Sequence, residues 1–301
     1  MNSTSSYCKQ LAAKQDPKRR LRQIITESRT FGLQYKVLGI MYQSANGTLL
    51  SAIQLSTRRR VVIKLISKNV PCENIDGRPV PLEIALHQKV NGVSPYIIEL
   101  IGWYERRSDF VIILDYGQRE LNLVEYVAAF GPLSTSDSLS VAQQLAKAAD
   151  SMLKYGVCHR DLKHENVLID YKTLQIKIID FGCAQKITSR SEKFANFAGT
   201  IEFTPPEFFA FGCCEAEKST VYSIGLITYF ISFCKIDQLR SSSPPPSPPP
   251  DVKAPGAEIS SLRNSRNLKS QRLHELIRNC ILDEKNRVNL SDIINCHFSK
   301  L

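Results

Sequence analysis

The stretch from His159 to Gly182 reads HRDLKHENVLIDYKTLQIKIIDFG, and the predicted fold is built outward from it. A polar loop carrying Asp161 and Asn166 precedes the apolar run 167–169, and a second apolar run, 176–179, follows a polar turn. Two short apolar runs joined by such a turn predict a β-hairpin. The hairpin would bring the polar loop close to Asp180, which follows its second strand. We therefore predict a site for metal or proton chemistry at this end of the hairpin.

The two ends of the stretch carry the signatures H-R-D-L-x-x-x-N and D-F-G, and Asp161 and Asp180 lie nineteen residues apart. In this order and at this spacing the signatures match the protein-kinase pattern. The residue types suit phosphoryl transfer from ATP, because a carboxylate such as Asp161 can accept the proton of the attacking hydroxyl. Asn166 and Asp180 offer the hard oxygen ligands that Mg²⁺ prefers. Lys163 can reach the transferring phosphate, and its Leu-Lys setting resembles the Ser/Thr class of kinases.

Two further residues are expected at the nucleotide. Val61-Val62-Ile63-Lys64 has the form of the kinase V-A-I-K, so Lys64 would hold the α- and β-phosphates of ATP. Glu83 lies nineteen residues later, in the first turn of a helix predicted to begin near Pro81, and we expect it to pair with Lys64. A solvated glutamate at a helix N-terminus is the alternative interpretation of Glu83.

Length and composition narrow the class of protein. The chain has 301 residues, enough for one two-lobed domain or two small ones. The formal net charge is +10, but the basic residues are spread out, which favours a solvated surface over a specific nucleic-acid site. The nine cysteines form no C-x-x-C pair, so we expect reduced thiols in the cytoplasm or the nucleus. No run reaches the ~18 apolar residues of a membrane-spanning helix, and the N-terminus has no apolar signal core.

Several runs resemble the Pim family of serine/threonine kinases, in the calmodulin-dependent-kinase-like group, over roughly residues 33 to 298. They are RPVPLEIALHQKV, HRDLKHENVLID, IIDFG, GTIEFTPPEF and VYSIGLITYF. The resemblance implies that Asp115 to Gln118 form a hinge around the adenine, with Leu38, Gly47 and Val62 also at the nucleotide. It also implies that Thr200 braces Asp161 and Lys163, and that the substrates are basic around the target Ser or Thr. Glu125 and Glu165 agree with this preference, whereas Asn122, His164 and Lys235 stand where the family is acidic, so a changed preference is the alternative. We expect the protein to be a monomer.

The resemblance predicts an α+β protein with a bilobal protein-kinase fold. Residues 1–30 would form a basic N-terminal extension, 31–115 a small β-rich N-lobe, and 116–301 a larger helical C-lobe with a Pro-rich insertion near 241–255. Hydrophobic periodicity predicts the first three strands and four later helices. Their predicted ranges are 34–40, 48–55 and 60–66 for the strands, and 134–155, 219–233, 270–282 and 290–297 for the helices.

The glycine-rich loop departs from the family pattern G-x-G-x-x-G. If Gly47 is the third glycine, Tyr42 and Ser44 occupy the other two positions. Glycine is required there because a residue without Cβ lets the backbone approach the phosphates. We therefore expect weakened nucleotide affinity. A pseudokinase or signalling scaffold, which keeps the fold and signals by contact, is the alternative function.

The activation segment and the Pro-rich run leave alternatives open. Asn196 and Ala198 stand where Pim kinases are acidic, so Arg160 would lose a built-in carboxylate partner. A phosphate on Thr188, Ser189 or Ser191 could replace it, or the segment could be an ordinary polar loop. Glu207 is expected to pair structurally with Arg287. The run 241–250, SSSPPPSPPP, could be a ligand for an SH3-type module or a stiff surface loop.

Overall fold

The computed structural model describes residues 33–44, 47–233 and 268–295. The predicted basic extension at 1–30 and the Pro-rich insertion near 241–255 lie outside these described residues. Contacts divide the described chain into two compact units, of which the first contains 33–70 and 100–118 and the second contains 71–99 and the residues from 119 onward. The helix predicted to carry Glu83 is grouped with the second unit. The predicted lobe boundary between residues 115 and 116 stays a prediction.

The secondary structure of the described residues begins with strands and continues mainly with helices. The strands are β1 (Tyr35–Ser44), β2 (Gly47–Gln54), β3 (Arg60–Ser67), β4 (Cys72–Ile75), β5 (Arg78–Pro81), β6 (Leu100–Glu105), β7 (Asp109–Asp115), β8 (Glu120–Asn122), β9 (Val157–Cys158), β10 (Val167–Asp170), β11 (Ile176–Ile178), β12 (Gln185–Lys186), β13 (Lys193–Phe194) and β14 (Cys214–Glu215). The helices are α1 (Leu82–Val90), α2 (Leu123–Phe130), α3 (Thr135–Lys154), α4 (Pro206–Phe211), α5 (Ala216–Phe233), α6 (Leu268–Cys280) and α7 (Leu290–Ile294).

The first unit is built on a five-stranded antiparallel sheet with the order β1-β2-β3-β7-β6. Side chains alternate between the two faces of a strand. Val61, Ile63 and Leu65 of β3 therefore share one face, where they enter a small apolar core with residues of β2 and β7. Val62 and Lys64 lie on the opposite face of β3. The three predicted strands of this unit are confirmed, with ends that differ by up to four residues.

The second unit is mainly helical and has its core around α3 and α5. The predicted β10–β11 hairpin is confirmed and pairs antiparallel, with Val167 opposite Ile178. Helix α3 begins after Ser134, whose hydroxyl caps the helix by accepting from the Asp137 N–H at 3.2 Å. Helix α5 begins three residues earlier than predicted and α7 is described only to Ile294.

The sequence analysis did not predict the β4–β5 hairpin or helix α2. Helix α2 is apolar at nearly every position, so it lacks the 3.6-residue contrast by which an amphipathic helix is found. Its capping box was a usable signal, since Asn122 and Glu125 bond reciprocally at 2.9 Å. The helices of the described ranges are too short or too polar for any of them to cross a bilayer.

Candidate active site

The loop before β10 holds Asp161, Lys163 and Thr200 in one hydrogen-bonded network. Thr200 Oγ1 accepts from Lys163 Nζ at 2.7 Å and donates to Asp161 Oδ1 at 2.7 Å. An ammonium group has no lone pair to accept with, so the threonine proton must point to the carboxylate. Lys163 Nζ also lies 3.0 Å from Asp161 Oδ2. These contacts confirm the predicted brace from Thr200.

Asn166 completes the surroundings of the Asp161 carboxylate. Its Nδ2 donates to Asp161 Oδ2 at 2.9 Å and to the Asp161 backbone carbonyl at 2.9 Å. Asp161 is only 9% exposed, and three side chains now donate to its carboxylate. Because a carboxylate offers about four lone-pair sites, roughly one site is left for another donor. This arrangement suits a base that receives one substrate hydroxyl.

His159 links the loop of Asp161 to the end of β11. The ring is 2% exposed, with Nε2 at 3.0 Å from the Ile179 carbonyl oxygen and Nδ1 at 3.3 Å from the Asp161 nitrogen. A carbonyl oxygen can only accept and a backbone N–H can only donate, so the proton sits on Nε2 and Nδ1 is the acceptor. Burial lowers the pKa of His159, which agrees with this neutral ring. The His159 ring therefore holds the loop of Asp161 next to the residue that follows β11.

Asp180 lies directly after this contact, in a backbone conformation that is rare for a residue other than glycine. Its φ is +67°, in the left-handed region, and its Oδ1 accepts from the Gly182 N–H at 3.2 Å. The preceding Ile179 N–H donates to the Asn166 carbonyl at 3.0 Å. The β10–β11 hairpin thus places the backbones of Asn166 and Asp180 close together, as the sequence predicted.

Asn166 and Asp180 fit the role of magnesium ligands. Both hydrogen bonds found for the Asn166 side chain use Nδ2, which turns Oδ1 away from Asp161. Among the described residues, no group of three His, Cys, Asp or Glu side chains could hold a metal ion. Mg²⁺ is usually bound by one or two protein oxygens together with substrate phosphates, so two protein ligands are sufficient.

Phe181 is held between two imidazole rings. The ring is 1% exposed, stacks on His87 with centroids 4.4 Å apart, and meets His159 edge-on at 5.1 Å. His87 lies on α1, four residues after Glu83, and its Nε2 donates to the Ile98 carbonyl at 2.8 Å. Helix α1 is therefore packed against the same segment that carries Asp180.

Gly199 is a site residue that the sequence analysis did not single out. Its φ is +97°, and a Cβ there would lie 2.4 Å from the Arg160 carbonyl oxygen and 3.2 Å from Asp161 Oδ1. Only glycine allows this approach without a clash. The missing side chain also keeps space beside the carboxylate oxygen that Thr200 contacts. The signal available in the sequence was its position directly before Thr200.

Arg160 is held by neutral groups of the activation segment. One nitrogen of its guanidinium donates to the Gln185 side chain and another to the Asn196 carbonyl. The guanidinium carbon also lies 4.3 Å from the centre of the Phe194 ring. These contacts engage Arg160 through an amide, a backbone carbonyl and an aromatic ring of the described residues. The phosphorylatable residues are bonded elsewhere, since the Thr188 hydroxyl donates to Glu192 at 2.8 Å.

Replacing Thr188, Ser189 and Ser191 together by alanine should therefore change little. We expect the melting temperature to stay within about 2 °C, because exposed substitutions typically change stability by less than about 0.5 kcal/mol. Phosphate incorporation into a serine peptide should stay within about twofold. Gln185→Ala is the matched comparison, since it removes a partner of Arg160 and should lower both quantities more. A tenfold loss in the alanine variant, reproduced by phosphatase treatment of the original chain, would show that a phosphate is needed.

Glu207 and Arg287 form the predicted structural pair. The guanidinium donates to both carboxylate oxygens, at 2.6 and 2.9 Å, and to the Leu282 and Lys218 carbonyls. Arg287 is 2% exposed and Glu207 is 5% exposed. A buried bidentate pair of this kind fixes the end of the activation segment to the residues before α7.

In the first unit, Val62 and Lys64 occupy the face of β3 that is opposite its apolar core. Val62 is buried and Lys64 is half-buried. Leu49 of β2 is directly across from Lys64 in the register. Asp115 ends β7 and pairs with Arg59 at 2.9 Å. The predicted roles of Lys64, Val62 and Asp115 at a nucleotide, and the predicted pairing of Lys64 with Glu83, stay predictions.

The β1–β2 hairpin gives a separate reason for Gly47. A Cβ at Gly47 would lie 2.5 Å from the Leu65 carbonyl oxygen, so the close approach of β2 to β3 requires glycine at this position. Leu38 lies at a bulge of β1 and is 45% exposed, and Tyr42 is 61% exposed. The predicted contacts of Leu38 and Gly47 with a nucleotide stay predictions.

An antiparallel sheet followed by a helical region, with a braced aspartate beside an Asp-Phe-Gly segment, defines a protein-kinase fold. The family model of the protein kinase domain matches residues 35–299, and the chain belongs to this family. The predicted α+β bilobal kinase fold is confirmed at the level of an N-terminal sheet and a helical C-terminal region.

Curated relatives of the chain include several serine/threonine kinases. The chain is 30% identical over 210 residues to serine/threonine-protein kinase pim-2 of Danio rerio, covering 66% of this chain and 67% of that one. It is 28% identical over 201 residues to prk-2 of Caenorhabditis elegans, covering 66% and 45%. It is 31% identical over 169 residues to RAD53 of Saccharomyces cerevisiae, covering 56% and 20%. The chain thus spans less than half of the second relative and about a fifth of the third.

Proposed function

We propose that this protein is a Pim-like serine/threonine kinase that transfers the γ-phosphate of ATP to hydroxyl groups of protein substrates. The observation that carries the proposal is the network at Asp161, in which Lys163, Asn166 and Thr200 all donate to one carboxylate. A carboxylate held in this way is ready to receive one more hydroxyl proton. The serine/threonine relatives support the same class of acceptor.

Each residue then has a separate task. Asp161 orients the substrate hydroxyl and accepts its proton, while Lys163 steadies the phosphate from a position fixed by Thr200. Asn166 and Asp180 would hold Mg²⁺, which when bound neutralises charge on the phosphates. Lys64 and Glu83 would hold the nucleotide, with Leu38, Gly47, Val62 and Asp115 around it.

The substrate class that we propose is basic around the target residue, by analogy with the Pim family. Glu165 lies in the loop of the catalytic residues. Burial raises its pKa, but the hydrogen bond and the charge of His164 outweigh this, so the pKa is lowered overall. Glu125 is partly occupied as the cap of α2 through its bond to the Asn122 N–H at 2.9 Å. Both carboxylates thus have a contact within the chain, Glu165 with His164 and Glu125 with the Asn122 N–H, and the proposed basic preference can draw on either of them. We also propose that the protein acts as a monomer, in the cytoplasm and also in the nucleus.

A second candidate function is a pseudokinase or signalling scaffold. Tyr42 and Ser44 favour it, because they stand where two glycines of the phosphate-binding loop are expected. The exposed ring of Tyr42 cannot give the close backbone approach of a glycine. The complete set of Lys64, Glu83, Asp161, Asn166 and Asp180 weighs against this candidate.

Nucleotide binding and phosphate transfer can be measured separately. Millimolar Mg-ATP should raise the melting temperature, because a ligand that binds only the folded state stabilises it by about 2.7 kcal/mol at 100 times its Kd. Phosphate should also be incorporated into a basic serine peptide. Mg²⁺ alone and ATP with a chelator serve as controls. A melting shift without incorporation would favour the scaffold, and the absence of both would contradict nucleotide chemistry altogether.

A further inference from the structure

An exposed row of aromatic rings lies on the second unit, and the proposed reaction does not use it. Tyr126 and Phe130 of α2 have ring centroids 5.1 Å apart, and Phe130 and Tyr171 have centroids 5.8 Å apart at an angle of 24°. Tyr126 is 9% exposed, whereas Phe130 is 57% and Tyr171 is 37% exposed. The row therefore begins in the core and ends as a pair of stacked rings at the surface. We call Phe130 and Tyr171 the aromatic pair.

Local hydrogen bonds hold the aromatic pair in place. Tyr171 lies in the β10–β11 turn, where Asp170 Oδ1 accepts from the Lys172 and Thr173 N–H groups at 2.9 and 3.0 Å. The Tyr171 N–H donates to the Arg119 carbonyl at 3.2 Å. Phe130 is the last residue of α2. The two rings are therefore presented by rigid elements, as the rings of aromatic peptide-binding grooves are.

The described part of the chain is interrupted after Phe233, and the aromatic pair lies near this point. The Leu133 N–H, three residues after Phe130, donates to the Ile231 carbonyl at 2.8 Å, and Ile231 is two residues before Phe233. Phe130 and Phe233 are therefore no more than roughly 25 Å apart along this path. The chain is described again from Leu268, and His274 stacks on Phe233 with centroids 5.8 Å apart. Phe233, which precedes segment 234–267, is thus in contact with α6, the helix that follows the segment.

Segment 234–267 carries the sequence PPPSPPP at 244–250. Such a run favours a polyproline II helix, which advances about 3.1 Å per residue and loses little entropy when it binds. Proline rings and aromatic rings are the usual partners in recognition of this helix. Ten residues, 234–243, lie between Phe233 and Pro244. The eleven steps from Phe233 to Pro244 can span about 36 Å, more than the roughly 25 Å to Phe130. The charges beside the two partners are opposite in sign. Asp251 follows the prolines, and the exposed Lys172 follows Tyr171.

We propose that the proline run 244–250 docks on the aromatic pair of its own chain. Burial of the two exposed rings supplies the driving force, and the short tether keeps the run at an effective concentration in the millimolar range. This docking is independent of phosphoryl transfer. The docked proline run is hidden from other proteins, so an SH3-type module can bind it only by competing with Phe130 and Tyr171.

The test uses a fluorescent peptide of sequence SSSPPPSPPPDVK, which corresponds to residues 241–253, and measures its anisotropy on addition of the full chain. In the receiving chain all six prolines of the run are replaced by serine, so that the aromatic pair has no proline partner on the same chain. The peptide should bind this chain and should bind the original chain about tenfold more weakly, because the tethered run competes. Phe130→Ala or Tyr171→Ala in the serine chain should weaken binding about tenfold, since an aromatic contact is lost.

Phe211→Ala is the matched control, because Phe211 is 78% exposed but lies on α4, outside the aromatic pair. It should leave peptide binding unchanged, and equal melting temperatures for all variants show that they are folded. No binding to the serine chain would overturn the proposal. Equal binding to the original and serine chains would mean that the run does not occupy the pair. A dimer of the original chain that the serine chain does not form would assign the run to a second copy and would also overturn it.

Discussion

Asp161→Asn should lower kcat for phosphate incorporation by about 10²–10⁴-fold, the range that general-base catalysis contributes. The geometry predicts how asparagine would sit. Lys163 and Asn166 both donate toward Oδ2, so the new amide must turn its oxygen to them and its NH₂ group toward Thr200. The position that received the substrate proton then carries a donor. The new side chain still bonds to Lys163, Asn166 and Thr200, but it can no longer accept the substrate proton.

The measurements should show a loss of phosphate transfer without a loss of nucleotide binding. Because Lys64, Asn166 and Asp180 are unchanged, the melting shift with Mg-ATP and the KM for the nucleotide should stay near their original values. Asp170→Asn is the matched control, since Asp170 lies on the same hairpin but pairs with Arg119 at the surface, at 3.0 Å. Its kcat should change by about twofold or less. An Asp161→Asn variant that keeps more than a tenth of the original rate would refute the assignment of the base.

The parts of the site that the sequence predicted are those in which chemistry fixes the residue type. A proton acceptor, a magnesium ligand and a phosphate-binding lysine each allow few side chains. The two apolar runs joined by a polar turn predict the β10–β11 hairpin, which brings the loop of Asp161 and Asn166 close to Asp180. The predicted backbone proximity of Asn166 and Asp180 followed from that hairpin alone. The brace from Thr200 came from family resemblance and could not be derived from spacing.

The parts that the sequence did not predict depend on contacts between distant segments. Gly199 is required because its backbone meets Arg160, which is 39 positions earlier and has no pattern in common with it. The stacking of His87 on Phe181 joins a helix to a loop about a hundred residues later. Arg160 was expected only to lose a built-in carboxylate partner. Its contact with the Asn196 backbone carbonyl was not predicted, because a backbone acceptor does not depend on the residue type. Such contacts require coordinates.

Arg287→Met should lower the free energy of unfolding by about 3–5 kcal/mol, the cost of breaking a buried ion pair from one side. The variant leaves the Glu207 carboxylate buried without its cation and removes the donors to the Leu282 and Lys218 carbonyls. At 2–4 °C per kcal/mol for a chain of this size, we expect the melting temperature to fall by about 6–20 °C. Arg278→Met is the control, since Arg278 is an exposed arginine of α6 and should cost less than about 0.5 kcal/mol.

The double variant Glu207→Met with Arg287→Met distinguishes an unpaired charge from lost packing. If the uncompensated Glu207 carboxylate causes most of the loss, removing it as well should recover part of the stability, because no buried charge remains. The coupling free energy from the double-mutant cycle should then be large, as for residues in direct contact. Additive losses in the cycle would mean that the carbonyl contacts of Arg287 matter more than its pair with Glu207. A melting temperature within 3 °C of the original for Arg287→Met would show that the buried pair does not hold this region together.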